Sequence, residues 1–181
     1  MGLFDGFKKK MTEQSEEDKD KEIQSIYREI AEILGIPEYN RGMIDSPDEY
    51  YREHEDIFEE RCIDADETDD IRWLGIIDEM IAADKIIEFD FKDELEDFIE
   101  ELKDILPEGL TVDDISFDKD GYIPDWAAAI NEHWEEDGYV LAVLDIDSDS
   151  YVTYVCTMDV FEELAEKAKQ VGHRVTYCQD L

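Results

Sequence analysis

The residues best spaced to do chemistry lie in the run Leu144-Asp145-Ile146-Asp147-Ser148-Asp149-Ser150-Tyr151. Asp145, Asp147 and Asp149 alternate as hard oxygen ligands do in the first half of a calcium loop. Counted from Asp145, however, Ser150 stands where that loop needs glycine and Cys156 where it needs a bidentate glutamate, so an EF-hand is excluded. A weaker divalent-cation site stays open, because strand residues i and i+2 point the same way and would aim Asp145 and Asp147 together. The competing reading is turn chemistry, since Asp and Ser side chains bond their own backbone in tight turns.

The three histidines offer few neutral-pH bases. His54 sits among Glu53, Glu55 and Asp56, and His133 precedes Trp134, so both read as packed or partly exposed side chains. His173 falls at a helix-to-strand junction, where a cation complements the helix dipole. Cys62, Cys156 and Cys178 are odd in number and form no CxxC pair, which suits buried thiols in a reducing cytoplasm. Glycine-rich phosphate loops, GxSxG, HExxH and paired Glu-x-x-His motifs are all missing, so the best-marked nucleotide, serine hydrolase, zinc protease and di-iron classes lose support. No cofactor is expected beyond a weak divalent cation on the aspartate run.

Charge supplies the other candidate chemistry. The chain sets 53 Asp and Glu against 17 Lys and Arg, a net charge of −36. Between Asp45 and Glu166 stand 42 acids and 7 bases, so nearly all of the excess lies in that block. A phosphate backbone is bound by clustered Lys and Arg that release counterions, so nucleic acid is excluded as a partner, and an anionic membrane is disfavoured for the same reason. A halophilic origin fits poorly, because 20 Ile outnumber 10 Ala. A charge run is usually a solvated face, but like charges three and four residues apart cost helix stability, and a chain that keeps so many acids is expected to use their field. The expected function is a non-enzymatic acidic module of the immunity or inhibitor type that neutralises a basic protein. Asp66, Glu67, Asp69 and Asp70 are its candidate charges, and Tyr50, Tyr51, Trp73 and Trp126 its candidate aromatic anchors. The alternatives are a carboxylate-dependent enzyme or metal site on Asp145, Asp147 and Asp149, and a housekeeping domain whose charge serves solubility alone.

The elements that position these residues follow from apolar spacing. Ile23, Ile26, Tyr27, Ile30, Ile33 and Leu34 make one stripe at the 3.6-residue period, a helix from about Glu16 to the stop at Gly35. Ser46 and Pro47 are a cap and first turn for a helix to about Arg61, and a third helix starts near Thr68. Lys85–Phe91 alternates as a short strand, and Lys92–Leu106 is again helical. Thr111–Phe117 reads as a weak strand, and Pro124 opens a helix that stops at Gly138. Tyr139–Ile146 and Tyr151–Thr157 form a hairpin, a helix from Asp159 ends at Gly172, and His173–Cys178 is a last strand. The class is α+β, with a helical N-terminal half and a small mixed or antiparallel sheet covered by helices on one face. From about residue 110 the β-α-β-β-α-β order is that of a ferredoxin-like split βαβ, with a small mixed sheet that includes Lys85–Phe91 as the alternative. Residues 1–20 are expected to be a flexible tail, residues 21–84 a helical region and residues 85–181 an α+β region packed with it. The tail's MGLFDGFKKK run pairs Leu3, Phe4 and Phe7 with lysines but lacks the apolar core of a secretory signal, so the expected location is the cytoplasm.

The stretch from Asp125-Trp126 through Gly138-Tyr139-Val140-Leu141 and Leu144-Asp145 to Asp147-Ser148-Asp149-Ser150-Tyr151 resembles a bacterial domain family of unknown function. That family carries an acidic D-S-D-S-Y hairpin between two apolar strands, followed by a helix and a final strand. The resemblance covers roughly the last 60 residues of the chain. It implies a bacterial cytoplasmic protein and carries over no activity.

Overall fold

The computed structural model describes the backbone of residues 3–181 and the side chains of residues 18–181. Helix α1 (Leu3–Ile33) buries Tyr27, Ile30 and Ala31, the centre of the apolar stripe. It also runs back through the stretch expected to be a tail, which contains no proline to stop it. The side chains of Leu3, Phe4 and Phe7 lie outside the described residues. Gly35 ends the helix at φ +69°, and Lys85 Nζ donates to the Leu34 and Gly35 carbonyls at 3.2 and 3.3 Å, placing a cation at the negative end of the dipole.

Four helices follow: α2 (Gly42–Asp45), α3 (Pro47–Glu53), α4 (Glu55–Glu60) and α5 (Thr68–Ala82). The single helix expected from Pro47 to Arg61 is thus broken at His54 (φ −125°, ψ 24°), whose Nδ1 bonds the Tyr50 carbonyl at 2.9 Å. The break turns Tyr51 of α3 and Phe58 of α4 into one small core with Ile71 and Leu74. Pro47 holds the first helical position as expected, but the Ser46 side chain makes no capping bond.

Strands β1 (Ile86–Asp90), β2 (Tyr139–Leu144), β3 (Ser150–Thr157) and β4 (Val175–Tyr177) form a sheet of order β1-β3-β2-β4, antiparallel throughout. The remaining helices are α6 (Leu95–Leu102), α7 (Ile123–Trp134) and α8 (Met158–Gln170). The period-two pleat sends Val140, Ala142, Leu144, Val152 and Cys156 to a core shared with α1, α2, α5 and α8. Phe89, Leu141, Val143 and Val155 go to a second core with Phe98 of α6 and Trp126, Ile130 and Trp134 of α7.

The α+β class and the helical N-terminal half are as expected, with three corrections. Helices cover both faces of the sheet instead of one. The fold is not ferredoxin-like either, because β4 pairs with β2 rather than returning beside β1. These two corrections have one cause. The steps β1 to β2 and β3 to β4 cross the sheet in the same direction along strands of opposite sense, so right-handed crossovers set α6 and α7 on one face and α8 on the other. Third, Thr111–Phe117 is not a strand. Asp113 N–H bonds Thr111 Oγ1 at 3.1 Å and Ile115 N–H bonds the Val112 carbonyl at 3.2 Å, a local turn that competes with pairing, and Ile86–Asp90 supplies the strand instead.

Candidate functional site

The N-terminal part of α5, the β2–β3 hairpin and the turn between α8 and β4 surround a cleft of about 740 Å³. Its lining includes Arg61, Cys62, Glu67, Asp69, Asp70, Trp73, Asp145, Asp147, His173 and Arg174. The hairpin is fixed first. Trp73 Nε1 donates to the Asp145 carbonyl at 2.8 Å, and Asp145 N–H donates to the Arg174 carbonyl at 2.9 Å. The two Asp145 carboxylate oxygens are both engaged, Oδ2 by Arg174 Nε at 3.1 Å and Oδ1 by the Asp147 N–H at 2.9 Å. That second bond is an Asx turn, and it carries Asp147 at φ +56°, a conformation Asp tolerates better than most residues.

His173 is the centre of the cleft wall. Its ring stacks on Trp73 with centroids 4.7 Å apart and planes inclined by 7°. Tyr27 OH donates to the Asp69 carbonyl at 2.8 Å, which spends the tyrosine proton. The His173 Nε2 contact to Tyr27 Oη at 2.9 Å therefore needs an Nε2–H donor, and so does the longer contact to the Asp69 carbonyl at 3.3 Å. The tautomer is thereby set, and Nδ1 is left as an acceptor with no protein partner among the described residues. Burial pushes the imidazole below its ordinary pKa against the opposing pull of the Asp69 carbonyl and of Asp70, Asp69 and Asp145. A neutral imidazole thus replaces the helix-end cation expected at this junction. Burial also holds the Tyr27 hydroxyl far above the usual tyrosine range.

Beneath the cleft, Arg72 is almost fully buried and pairs with Asp20 at 2.8 Å and Asp69 at 3.1 Å. Its guanidinium lies 5.9 Å from the Tyr27 ring centroid, and its Nε has no hydrogen-bond partner among the described residues. Asp69 is therefore charge-matched from below. Arg61 is matched by Asp78 at 2.9 Å. Glu67 accepts the Asp64 N–H at 2.6 Å, while Asp70 and Asp147 make no ion pair among the described residues.

Residues that the sequence assigns to separate sites meet here. Glu67, Asp69, Asp70 and Trp73, expected on a partner surface, share the cleft with Asp145 and Asp147, expected to hold a cation. Asp66 and Asp149 are exposed and do not line it. The aromatic anchors need correction. Trp73 is 1% exposed, Trp126 3% and Tyr51 7%, each packed in a core, so none of them presents a face to a partner. Tyr50 is half-buried and stacked on His54 at 4.2 Å. Among the described residues the large apolar side chains that are exposed are Tyr39, Ile57, Phe91 and Tyr122. Among the described residues no group of three or more His, Cys, Asp or Glu converges as a metal site, Asp145, Asp147 and Asp149 included. Cys156 and Cys178 are buried thiols pushed up to about 12, while Cys62 is exposed, contrary to expectation. The sequence marked Tyr27 only as part of an apolar stripe and did not mark Arg72 or Arg174, because their pairings with His173, Asp20 and Asp145 join positions far apart along the chain. Among the described residues no helix is long and apolar enough to cross a membrane.

The chain belongs to a domain family of unknown function, DUF6630, whose model matches residues 23–178. The match agrees with the resemblance at that level and extends over the helical half, which the hairpin motif does not reach. No curated protein and no solved structure matches the chain.

Proposed function

We propose that this chain is a non-enzymatic acidic binding module, of the immunity or inhibitor type, that neutralises a basic protein. The observation that carries the reading is how few of its acids are matched internally. Of the 49 acids in residues 18–181, ion pairs among the described residues engage only Asp20, Glu29, Asp45, Asp69, Asp78, Asp113 and Asp145. The outer side of α6 is an example, with Glu96, Asp97, Glu100 and Glu101 all exposed. Such a surface repels itself, and a cationic partner relieves that repulsion while being steered in by the same field.

A divalent-cation site on Asp145, Asp147 and Asp149 has less support, since both Asp145 oxygens already have partners. Three free thiols suit a reducing compartment such as the cytoplasm. Affinity capture from the native lysate at low salt, eluted with a salt gradient, tests the reading. A single basic protein released at moderate salt is the expected result, and a lysate that yields no basic protein would count against it.

A further inference from the structure

We infer that the outer edge of β1 receives an extended segment of the partner, one that alternates basic with apolar residues, as an added strand of the sheet. That the partner is cationic rests on the acidic-module reading, whereas the open edge rests on the hydrogen-bond pattern of the strand itself.

β1 stands at the end of the order β1-β3-β2-β4 and pairs with β3 alone. In an antiparallel ladder the N–H and C=O of one residue point to the same side, and successive residues alternate. The Asp90 N–H donates to Asp93 Oδ2 and the Asp90 carbonyl accepts the Asp93 N–H, both at 2.9 Å, so Asp90 turns away from β3. By alternation Glu88 and Ile86 point outward too. The rest of the sheet has the same parity. Leu141 gives its N–H and C=O to Asn131, away from β3, so its partner Val155 and the like-directed Thr153 face β1, where Thr153 Oγ1 donates to the Ile87 carbonyl at 3.1 Å. Ile87 therefore faces inward and its neighbours outward. On that outer side the backbone groups of Ile86 and Glu88 have no hydrogen-bond partner among the described residues. The Asp93 turn closes the edge at Asp90, and the open stretch is Ile86–Glu88.

Its two faces differ. Glu88 and Asp90 are exposed acids on the face where Ile86 enters the core of α1, α2, α5 and α8, while Ile87 is half-buried on the face of α6 and α7. Residues of an incoming strand share the face of those they lie opposite, so bases meet Glu88 and Asp90 and an apolar residue extends the cover of Ile87. A second copy of the chain fits worse, because it brings another charge of −36 and, paired about Glu88, sets that acid against itself. Main-chain pairing supplies affinity at such an edge, and the alternating side chains supply the choice of partner.

The test titrates the full chain, at low salt and neutral pH, with the acetylated and amidated hexapeptide Lys-Val-Lys-Val-Lys-Val. Binding is read by NMR, together with amide hydrogen exchange in the complex. Exchange at the Ile86 and Glu88 amides is expected to slow when the peptide binds. Glu88→Pro removes the outward N–H without removing a β1–β3 bond, and should weaken binding at least about tenfold. Glu88→Gln loses the charge but keeps that N–H, and should weaken it less than about fivefold. The exchange measurement keeps the test decisive if Glu88→Pro does not fold. Equal affinity in the two variants, unchanged exchange at Ile86 and Glu88, or no binding of the hexapeptide would overturn the inference. A salt-sensitive complex with poly-L-lysine in that case would leave the acidic-module reading standing. Absence of any poly-L-lysine complex would sink that reading, and exchange at Ile86 and Glu88 would then decide the edge by itself.

Discussion

At the scale of the residue, what a side chain can do here is set by where its other polar atoms are already committed. His173 stands next to Gly172 at a helix end, and position alone suggests a dipole-stabilised cation. The folded chain gives a different answer because Tyr27, 146 residues away, fixes its tautomer and Trp73 buries one face. No local pattern reports such distant partners. Asp145 and Asp147 were legible as a pair of interest, yet the pairing of Asp145 with Arg174 and the φ of +56° at Asp147 were not. A pH dependence follows from His173. Its folded pKa lies below the ordinary 6.5, so in the window between the two values the unfolded chain holds more protons than the folded one. The stabilising contribution is therefore complete above about pH 6.5 and is lost as pH falls from there through the lowered folded value. Thermal melts of the wild type and His173→Gln across that range should show a decline that is smaller in the variant. Parallel curves would mean that the imidazole is not held neutral by the fold.

At the scale of the element, apolar periodicity located most helices and strands, and the failures came where tertiary contacts override local pattern. The hairpin β2–β3 and helix α8 were readable because their alternation and stripe are long. The break at His54 was not, since it serves a core completed by Ile71 and Leu74 of α5. The side of the sheet taken by α8 was set by β4 pairing with β2, a choice no residue pattern encodes. Two substitutions test how these elements meet. A Cβ on Gly75 of α5 would come within 2.7 Å of Met43 Cβ and 2.9 Å of Tyr50 Cε1, so α2 and α3 approach α5 closely only because that glycine is there. Gly75→Ala gains ~1 kcal/mol of helix propensity but overpacks the junction by about 1–3 kcal/mol, and a lowered melting temperature is expected. A raised one would show that the helices can separate freely.

Asn131 of α7 does the work of a missing strand residue. Its Oδ1 accepts the Leu141 N–H at 2.7 Å and its Nδ2 donates to the Leu141 carbonyl at 3.1 Å, beyond the point where three-residue β4 pairs with β2. Asn131→Ala should cost about 1–3 kcal/mol in denaturant unfolding by orphaning that buried N–H, and an unchanged midpoint would refute the role.

At the scale of the whole molecule, the charge of −36 was plain from composition, and its confinement largely to Asp45–Glu166 from simple counting. What counting did not show is that ion pairs among the described residues use only Arg28, Arg61, Arg72, Lys103, Lys167 and Arg174, leaving most carboxylates unmatched over both helical layers. Nor did it show that Tyr51, Trp73 and Trp126, picked as anchors beside those acids, are core residues. The central claim is that this surface binds a cationic protein. Its most direct test is calorimetric titration with poly-L-lysine of defined length over a salt series, with poly-L-glutamate as the control. The screening length shrinks from about 30 Å at 0.01 M salt to about 8 Å at 0.15 M, so the affinity should fall steeply across that range and the control should not bind. No complex at the lowest salt, or one whose affinity ignores salt, would contradict the claim.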